Sequence, residues 1–463
     1  MYAYSNLQLN NLKKTKNLKF DPNYAKLPNE KDDLFEKQLQ LNEKFAAEVQ
    51  HLTAEKIKQA EIYLLEKQKN LTIELGKDLR LLKDLFNSKK NTKVEKYTLL
   101  QLENKLLNWL KTTNLSELNS SFTNYEYGIV MCIGEGKTGF KALAFSTIKM
   151  IREVFKSKIK IEIFYKNDAD LKPNTRLKFS KLTGISFKNL DNYIKNDILK
   201  VEGFNLKPFA MLFSCFEKVM LIDSDTVFLQ NPELLFNSIK FRSTGSLFFH
   251  DRQMYPVGYR GMKMVVEYIK HLMPLKISNQ VKFLNIMNER SYYEQESGVV
   301  LVDKSKHLLG IIASCLLLRD EERSISSKYI YGDKETYWLG FAIMEEEFSF
   351  LDYKTGTLGV FEKVTDLPCG GGKVNNGYCK DGCCSKFGWC GSGEDWCSLA
   401  KNCAGSCYVF NSTEKRPTPR YKMCSPKILH LDEVGEPLWI NGGLIDVKYE
   451  PNSPLTKILH WAR

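Results

Sequence analysis

Two aspartates, Asp223 and Asp225, follow the apolar run Lys218-Val-Met-Leu-Ile222. Such a run predicts a buried strand, and side chains two residues apart on a strand point to the same side. Two carboxylates at the carboxyl end of a strand are able to hold one hard divalent cation that keeps open positions for a diphosphate. A solvated turn is the alternative, but the strand before the pair and the turn residues Asn231-Pro-Glu233 after it favour a metal site.

A second group of chemically active side chains is a cluster of cysteines, which holds eight of the 12 in the chain. Its members are Cys369, Cys379, Cys383, Cys384, Cys390, Cys397, Cys403 and Cys407. Zinc is the rival explanation, but the adjacent Cys383 and Cys384, the lack of Cys-x2-Cys pairs and the absence of His in the cluster favour disulfides. The sequence alone leaves their pairing open, and their density indicates an oxidising compartment.

The segment that precedes the acidic pair predicts an α/β domain. The apolar run Gly128–Ile133 is typical of a buried parallel strand, residues 140–155 show one apolar helical face, and residues 159–165 alternate as a second strand. A ligand is then expected at the carboxyl ends of the strands. The loop at Gly134 is similar to a phosphate-binding loop, but Met131 stands where the first glycine is required, so we expect Gly134 to admit a nucleotide base or ribose.

The remaining composition sets limits on the class of protein. Residues 1–33 predict a flexible lead, and residues 34–122 predict a stem of amphipathic helices. The net charge of +12 is spread among glutamates rather than concentrated in a basic block, which argues against a nucleic-acid partner. No run reaches the ~18 apolar residues that a membrane helix needs, and no signal peptide is visible, which conflicts with the predicted disulfides.

Four segments together resemble a known family in their order and residues. They are Phe204-Asn-Leu-Lys207 through Asp223-Ser-Asp225 to Asn231-Pro-Glu233, Gln295-Glu-Ser-Gly298-Val-Val-Leu-Val-Asp303, Tyr331-Gly-Asp333-Lys-Glu335-Thr-Tyr-Trp338, and Ile428-Leu-His430 to Gly435-Glu-Pro437-Leu-Trp439. The chain resembles the retaining GT-A glycosyltransferases, and most closely the fungal Golgi α-1,3-mannosyltransferases of glycosyltransferase family 71. The resemblance implies a Rossmann-like GT-A domain over residues 123–368 and 420–463.

The resemblance also implies roles for individual residues. Asp223, Asp225 and His430 would hold Mn²⁺ (or Mg²⁺) on the diphosphate of GDP-mannose, with both aspartates facing solvent. An ordinary imidazole pKa would then weaken metal binding below about pH 6.5. Glu436 stands where related enzymes tend to carry Lys, which puts in doubt that this loop neutralises the leaving phosphate. The donor-binding residues would be Gly134, Lys207, Asp223, Asp225, Gly298 and Gly435, and the catalytic residues beside the sugar would be Asp333 and Glu335.

The cysteine cluster closely resembles the hevein-type chitin-binding module, as an insert over residues 369–407 with a return linker at 408–419. That family's pattern implies the disulfides Cys369–Cys384, Cys379–Cys390, Cys383–Cys397 and Cys403–Cys407. A unit this small cannot bury all its aromatic rings, so they are expected to stack on N-acetylglucosamine units of chitin. The implied chitin-binding residues are Ser385, Phe387, Trp389, Glu394 and Trp396.

The sequence therefore predicts a retaining, metal-dependent enzyme that moves mannose from GDP-mannose to a mannose-terminated glycan or glycoprotein in α-1,3 linkage. The resemblance places it in the Golgi lumen as a type II membrane protein. One alternative is an α-1,2-mannosyl or other hexosyl transferase. Another is a carbohydrate-binding protein with an inactive transferase fold.

Overall fold

The computed structural model describes residues 54–90, 92–111, 114–122, 125–136, 138–253, 259–363, 383–384, 390–391, 421–442 and 460–462. The chain divides into two compact units, residues 1–68 and residues 69–463. In the first unit, the described residues are helical. No helix in the described ranges is long and apolar enough to cross a membrane.

The strands are β1 Tyr125–Cys132, β2 Ile161–Tyr165, β3 Ile185–Asn189, β4 Phe216–Ile222, β5 Val227–Phe228, β6 Ser246–His250, β7 Gln295–Asp303, β8 Gly356–Lys363, β9 Cys383–Cys384, β10 Cys390–Gly391, β11 Tyr421–Leu431, β12 Pro437–Asn441 and β13 His460–Ala462. The helices are α1 Ala54–Phe86, α2 Lys93–Leu106, α3 Leu115–Ser120, α4 Thr138–Glu153, α5 Pro173–Phe179, α6 Leu206–Phe213, α7 Ile239–Thr244, α8 Tyr259–Leu272, α9 Asn279–Lys282, α10 Lys304–Leu317, α11 Asp320–Ser326 and α12 Thr336–Ile343.

A six-stranded mixed sheet in the order β3-β2-β1-β4-β7-β6 forms the centre of the second unit. The first four strands are parallel, and β7 runs antiparallel to both β4 and β6. The carboxyl ends of β1, β4 and β6 and the start of β7 therefore meet at one edge. The predicted α/β class is confirmed, and this edge is where a ligand site is expected.

The sheet is buried on both sides, as the apolar runs predict. All nine residues of β7 and all five of β2 are buried. Ala144, Ile148 and Ile151 of α4 are fully buried and belong to the same hydrophobic cluster as residues of β1 and β2. Val154, which the periodicity places on this face, lies beyond the end of α4 and is 66% exposed, so this part of the prediction is wrong.

The helices that the sequence assigns to a separate stem contribute to the core of the second unit. Leu79, Leu82 and Leu106 are buried, and the Trp109 ring meets Phe209 of α6 edge-on at a centroid distance of 5.3 Å. Burial of each such leucine contributes about 1.5–3 kcal/mol. These contacts join residues before and after position 122 in one hydrophobic core.

A second sheet, in the order β13-β8-β11-β12-β5, is antiparallel throughout. Its edge strand β5 begins two residues after Asp225 and pairs with β12. In the β11–β12 ladder, His430 lies directly opposite Trp439. The second sheet thus approaches the end of β4 through its own edge.

Most of the cysteine-rich insert lies outside the described residues. Within it, β9 and β10 form a short antiparallel pair in which Cys390 lies opposite Cys384. The four predicted disulfides, the five predicted chitin-binding residues, the lead at 1–33 and the linker at 408–419 also lie outside what the structure describes. These predictions remain predictions.

Candidate functional site

The acidic pair at the end of β4 lies on a turn rather than on a continuing strand. The amide of Thr226 donates to the carbonyl of Asp223 at 3.2 Å, which closes the turn. The two carboxylates therefore have different surroundings, since the Asp223 side chain is 25% exposed whereas Asp225 is only 3% exposed. The expectation that both face solvent is wrong, because strand alternation ends at Ile222.

A buried lysine connects this turn to a loop more than a hundred residues away. Lys207, in the first turn of α6, places its Nζ 2.8 Å from Asp223 Oδ1 and 3.0 Å from Asp333 Oδ2. The same Nζ donates to the hydroxyl of Ser297 at 3.1 Å. The Lys207 cluster is formed by Lys207, Asp223, Asp333 and Ser297. It thus brings three predicted site residues, together with the neighbouring Ser297, to one edge of the sheet.

The electrostatics of the Lys207 cluster follow from burial and pairing. Burial alone would lower the pKa of Lys207. The attraction of Asp223 and Asp333 has a larger effect, so the pKa of Lys207 is raised. Burial raises the pKa of Asp223 to about 6, and the attraction of Lys207 offsets only part of this. Asp333 is further fixed by the Tyr337 hydroxyl, which donates to Asp333 Oδ2 at 2.9 Å. One lysine thus supplies the positive charge beside two aspartates.

A second lysine forms a similar arrangement next to the first. Lys334 Nζ lies 2.7 Å from Asp251 Oδ2 and 3.0 Å from Glu296 Oε2. The other oxygen of Glu296 accepts from the amide of Gly298 at 3.0 Å and from Asn441 Nδ2 at 2.8 Å. We call Lys334, Asp251 and Glu296 the Lys334 cluster. It links the start of β7 to the end of β6 and to β12.

Glu335, which the resemblance implies as a catalytic residue, is fully buried. Its Oε1 accepts from the amides of Glu294 at 2.9 Å and Gln295 at 3.4 Å, and its Oε2 accepts from the indole of Trp338 at 2.5 Å. Burial raises the pKa of Glu335 to about 8. Both oxygens of Glu335 are thus engaged within the protein, and the residue is 0% exposed.

His430 is buried at 3% exposure, with its ring stacked on Trp439 at a centroid distance of 4.0 Å. Its Nε2 has no hydrogen-bond partner within the described parts of the chain. Burial lowers the pKa of His430 to about 3, so the imidazole is neutral at every physiological pH. The expected weakening of metal binding near pH 6.5 therefore cannot come from this histidine.

A divalent cation takes carboxylate oxygens and neutral imidazole nitrogens as ligands. Asp223, Asp225 and His430 supply both kinds of ligand. They are not gathered into a ready site: across the ranges that the structure describes, no three His, Cys, Asp or Glu side chains are placed to hold one ion. The cation on Asp223 is instead the ammonium of Lys207. Asp223, Asp225 and His430 remain the residues that would hold a metal.

The three glycines predicted to contact the donor have different positions. The carbonyl of Gly298 accepts from the amide of Asp223 at 2.8 Å, and a Cβ there would lie 2.9 Å from the Trp439 ring. Gly298 thus belongs to the site because it holds the acidic turn. A Cβ on Gly134 would lie 2.5 Å from Asp170 Oδ1, so this glycine lets two loops pack together. Gly435 has a φ of 89° in the β11–β12 turn.

Several residues of this edge were not predicted as site residues. Ser297 and Glu296 lie inside one quoted motif, and Lys334 and Tyr337 lie inside another, but spacing alone does not show which side chains turn inward. The sequence does carry a signal for Asp251, because this carboxylate directly follows the apolar strand β6 just as Asp223 follows β4.

The chain is similar in sequence to one protein family and to curated proteins of yeast. Residues 126–432 match the model of a protein family described as "Mannosyltransferase putative". The Saccharomyces cerevisiae protein named "Probable alpha-1,3-mannosyltransferase MNT4" is 23% identical over 71% of this chain and 51% of its own length. "Alpha-1,3-mannosyltransferase MNT2" of the same yeast is 24% identical over 53% of this chain and 38% of its own length.

Among solved structures, core-mannan synthase A (CmsA/Ktr4) of Aspergillus fumigatus in its Mn/GDP form is similar to this chain with a TM-score of 0.35. The identity is 9%, over 49% of this chain and 73% of that chain. The chain spans about half or less of the length of the curated relatives that it matches.

Proposed function

Because the chain belongs to this mannosyltransferase family, we propose that it is a glycosyltransferase that moves mannose from GDP-mannose to a mannose-terminated glycan or glycoprotein. The proposed linkage is α-1,3 with retention of configuration, by front-face attack or through a short-lived glycosyl-enzyme. The observation that carries the proposal is the Lys207 cluster, in which one buried ammonium joins Asp223 at the end of β4 to Asp333 before α12.

The charges of the site support a role for a divalent cation. Asp223, Asp225 and Asp333 with Lys207 carry a net charge of −2 when the three carboxylates are ionised, and a diphosphate would be repelled by that charge. We propose that Asp223 and Asp225, with His430, hold Mn²⁺ or Mg²⁺. When bound, the ion would neutralise charge on the diphosphate leaving group.

The residues of the chain would then have separable roles. Lys207, held by Ser297, would place a positive charge beside the phosphate oxygens of the donor. Asp333 has one oxygen fixed by Lys207 and Tyr337 and is 3% exposed, so it is suited to orient the mannose or stabilise positive charge at its anomeric carbon. Gly298 would keep the acidic turn in place through its carbonyl.

Two parts of the proposal rest on resemblance. We propose that the insert at 369–407 binds chitin or N-acetylglucosamine oligomers through the aromatic residues Phe387, Trp389 and Trp396. We also propose that the protein acts in the Golgi lumen, in protein glycosylation. The cysteine cluster fits that oxidising location.

The proposal is tested by incubating the full chain with a panel of nucleotide sugars, Mn²⁺ and a mannobiose acceptor. We expect GDP-mannose to be consumed in preference to other donors, and linkage analysis to find α-1,3-mannose. An α-1,2 product would correct the linkage alone. Binding of glycans without turnover of any donor would instead identify a carbohydrate-binding protein with an inactive transferase fold.

A further inference from the structure

A polar cavity of about 100 Å³ opens beside the Lys334 cluster and is not used by the proposed donor chemistry. Its walls include Asp251, Asn285, Tyr293 and Glu294, with Gln253 at its exposed side. One water molecule needs about 10–15 Å³ of such volume, so this space holds several waters. It is therefore large enough for the hydroxyl-bearing edge of one sugar ring, and too small for a nucleotide.

The polar groups of the cavity are held in fixed positions. Asp251 is 8% exposed, with Oδ2 on Lys334 at 2.7 Å and Oδ1 accepting from the amide of Arg252 at 2.6 Å. Glu294 is 1% exposed and accepts from Asn285 Nδ2 at 3.1 Å and from the amide of Ile286 at 2.9 Å. Carboxylates that line a cavity are suited to accept hydrogen bonds from hydroxyl groups.

The cavity also offers an aromatic surface. Lys334 lies over the ring of Tyr293, with Nζ 5.6 Å from the ring centroid. A ring that combines an apolar face with a polar edge suits a hexose, which has the same two kinds of surface. The charged residues of the lining are Asp251, Glu294 and Lys354, so carboxylates outnumber the ammonium. This excess of negative charge favours a neutral polyhydroxyl ligand over an anion.

The location of the cavity agrees with a role beside the donor. Asp223 donates its amide to Gly298, and Asp251 donates its amide to Glu294, four residues earlier on the same chain segment. At about 3.3 Å per residue, the two points are about 13 Å apart along β7. The cavity thus lies at the same edge of the central sheet as the Lys207 cluster. Asp333 and Lys334, adjacent in sequence, connect the two clusters.

We propose that this cavity is the acceptor subsite, and that it binds the terminal hexose of a neutral glycan by its hydroxyl edge. Asp251 accepts from the sugar hydroxyls, and Tyr293 packs against the ring. The proposal deepens the proposed function and rests on it for the identity of the donor. Recognition of the sugar itself can be measured without any donor.

The test measures mannobiose binding to the full chain by saturation-transfer NMR titration and the acceptor KM in the transfer assay. Mannobiose is used because the predicted chitin-binding insert has no expected affinity for it. Gln253→Trp fills the mouth of the cavity from an exposed position, and Asp251→Asn weakens the acceptor group. The matched controls are Gln101→Trp on the exposed side of α2 and Asp352→Asn, whose side chain is 79% exposed.

We expect Gln253→Trp and Asp251→Asn to raise the mannobiose Kd and the acceptor KM by about tenfold or more, while the KM for GDP-mannose changes far less. Both controls should bind as the parent chain does. Parent-like Kd and acceptor KM in Gln253→Trp, with donor turnover intact, would overturn the subsite and leave the proposed function standing. Cavity-dependent mannobiose binding without donor turnover would uphold the subsite and overturn the proposed function.

Discussion

The Lys207 cluster and the Lys334 cluster are built alike, because each places one lysine between two carboxylates, yet they differ in what remains free. In the first, Asp223 keeps 25% of its side chain exposed, so an incoming cation or phosphate can change its partners. In the second, Glu296 is 1% exposed, and its other oxygen accepts hydrogen bonds from Gly298 and Asn441. The same residue types thus form two different structures. The Lys207 cluster is able to exchange ligands, whereas Glu296 of the Lys334 cluster is fixed by its hydrogen bonds.

The largest effect is expected from Lys207→Met, which breaks the first cluster. Two carboxylates would then face each other without their buried cation, and removal of one partner from a buried ion pair costs about 3–5 kcal/mol. We expect the free energy of unfolding in urea to fall by that amount at pH 7, with donor turnover lost.

Lys240→Met is the matched control, since Lys240 pairs with Asp352 at the surface, where a salt bridge contributes about 0–1 kcal/mol. Lys207→Arg keeps the charge and should retain most of the stability. If Lys207→Met unfolded at the same urea concentration as Lys240→Met, the first cluster would not be the electrostatic centre that we describe.

Glu335→Ala should lower stability without touching either cluster. Two backbone amides and the Trp338 indole would lose their acceptor, and an unsatisfied buried donor costs about 1–3 kcal/mol. We expect the free energy of unfolding to fall by about 2–4 kcal/mol. Turnover should persist at temperatures where the variant is folded.

Glu347→Ala, at an exposed position nearby, serves as the control for Glu335→Ala and should unfold as the parent does. A Glu335→Ala protein of parental stability with no donor turnover would contradict this expectation and support the catalytic role that the resemblance implies for Glu335. Thermal denaturation followed by circular dichroism measures the stability of each variant, and GDP release measures its donor turnover.

The pH dependence of Mn²⁺ binding distinguishes Asp223 from His430. The pKa of Asp223 is raised to about 6, whereas that of His430 is lowered to about 3. A raised acid pKa means that the folded chain holds this proton more tightly than the unfolded chain does. Stability from this group is thus greatest below about pH 3.8 and is lost as the pH rises through 6. Metal binding requires the carboxylate, so Mn²⁺ affinity should fall about tenfold per pH unit below 6.

Calorimetric titration with Mn²⁺ between pH 5 and 8 checks this expectation. The midpoint should stay near 6 in His430→Gln, although the affinity itself should be weaker. A midpoint near 6.5 that disappears in His430→Gln would show that the histidine is the titrating group.

The smallest effect is expected from deletion of the insert at 369–407 with a short Gly/Ser linker in its place. Loop closure depends only logarithmically on length, so the change in stability of the second unit should be below about 1 kcal/mol. Donor turnover should remain within about twofold of the parent, and binding to chitin beads should be lost. Trp389→Ala combined with Trp396→Ala should also abolish bead binding. Retained bead binding by the deletion variant, or lost turnover, would contradict a separate sugar-binding insert.

Local patterns predicted the elements and the edge of the sheet but not the partners within the site. The apolar run before Asp223 was enough to predict β4, because a buried strand needs a continuous apolar run. It could not show that the strand ends at Ile222 and that a turn sends Asp225 inward. Nor could it show that Lys207 reaches Asp333, since that contact depends on how α6 and the loop before α12 pack together.

Asp333 and Glu335, which are two residues apart, also show that spacing does not predict the direction of a side chain. Both are carboxylates in one motif, but Glu335 turns toward the start of β7 and Trp338, whereas Asp333 turns toward Lys207. Their spacing would be the same in either arrangement. His430 was predicted from its motif, and its burial follows from the cross-strand register that stacks it on Trp439.

The central claim is that mannose transfer depends on the Lys207 cluster. The most direct test is the rate of GDP release from GDP-mannose, with Mn²⁺ and mannobiose, in the parent chain, Asp333→Asn and Asp352→Asn. Loss of a preorganised charge at the reacting centre costs about 10²–10³-fold in rate. We predict that decrease for Asp333→Asn and a parental rate for Asp352→Asn. Equal rates in all three proteins would contradict the claim.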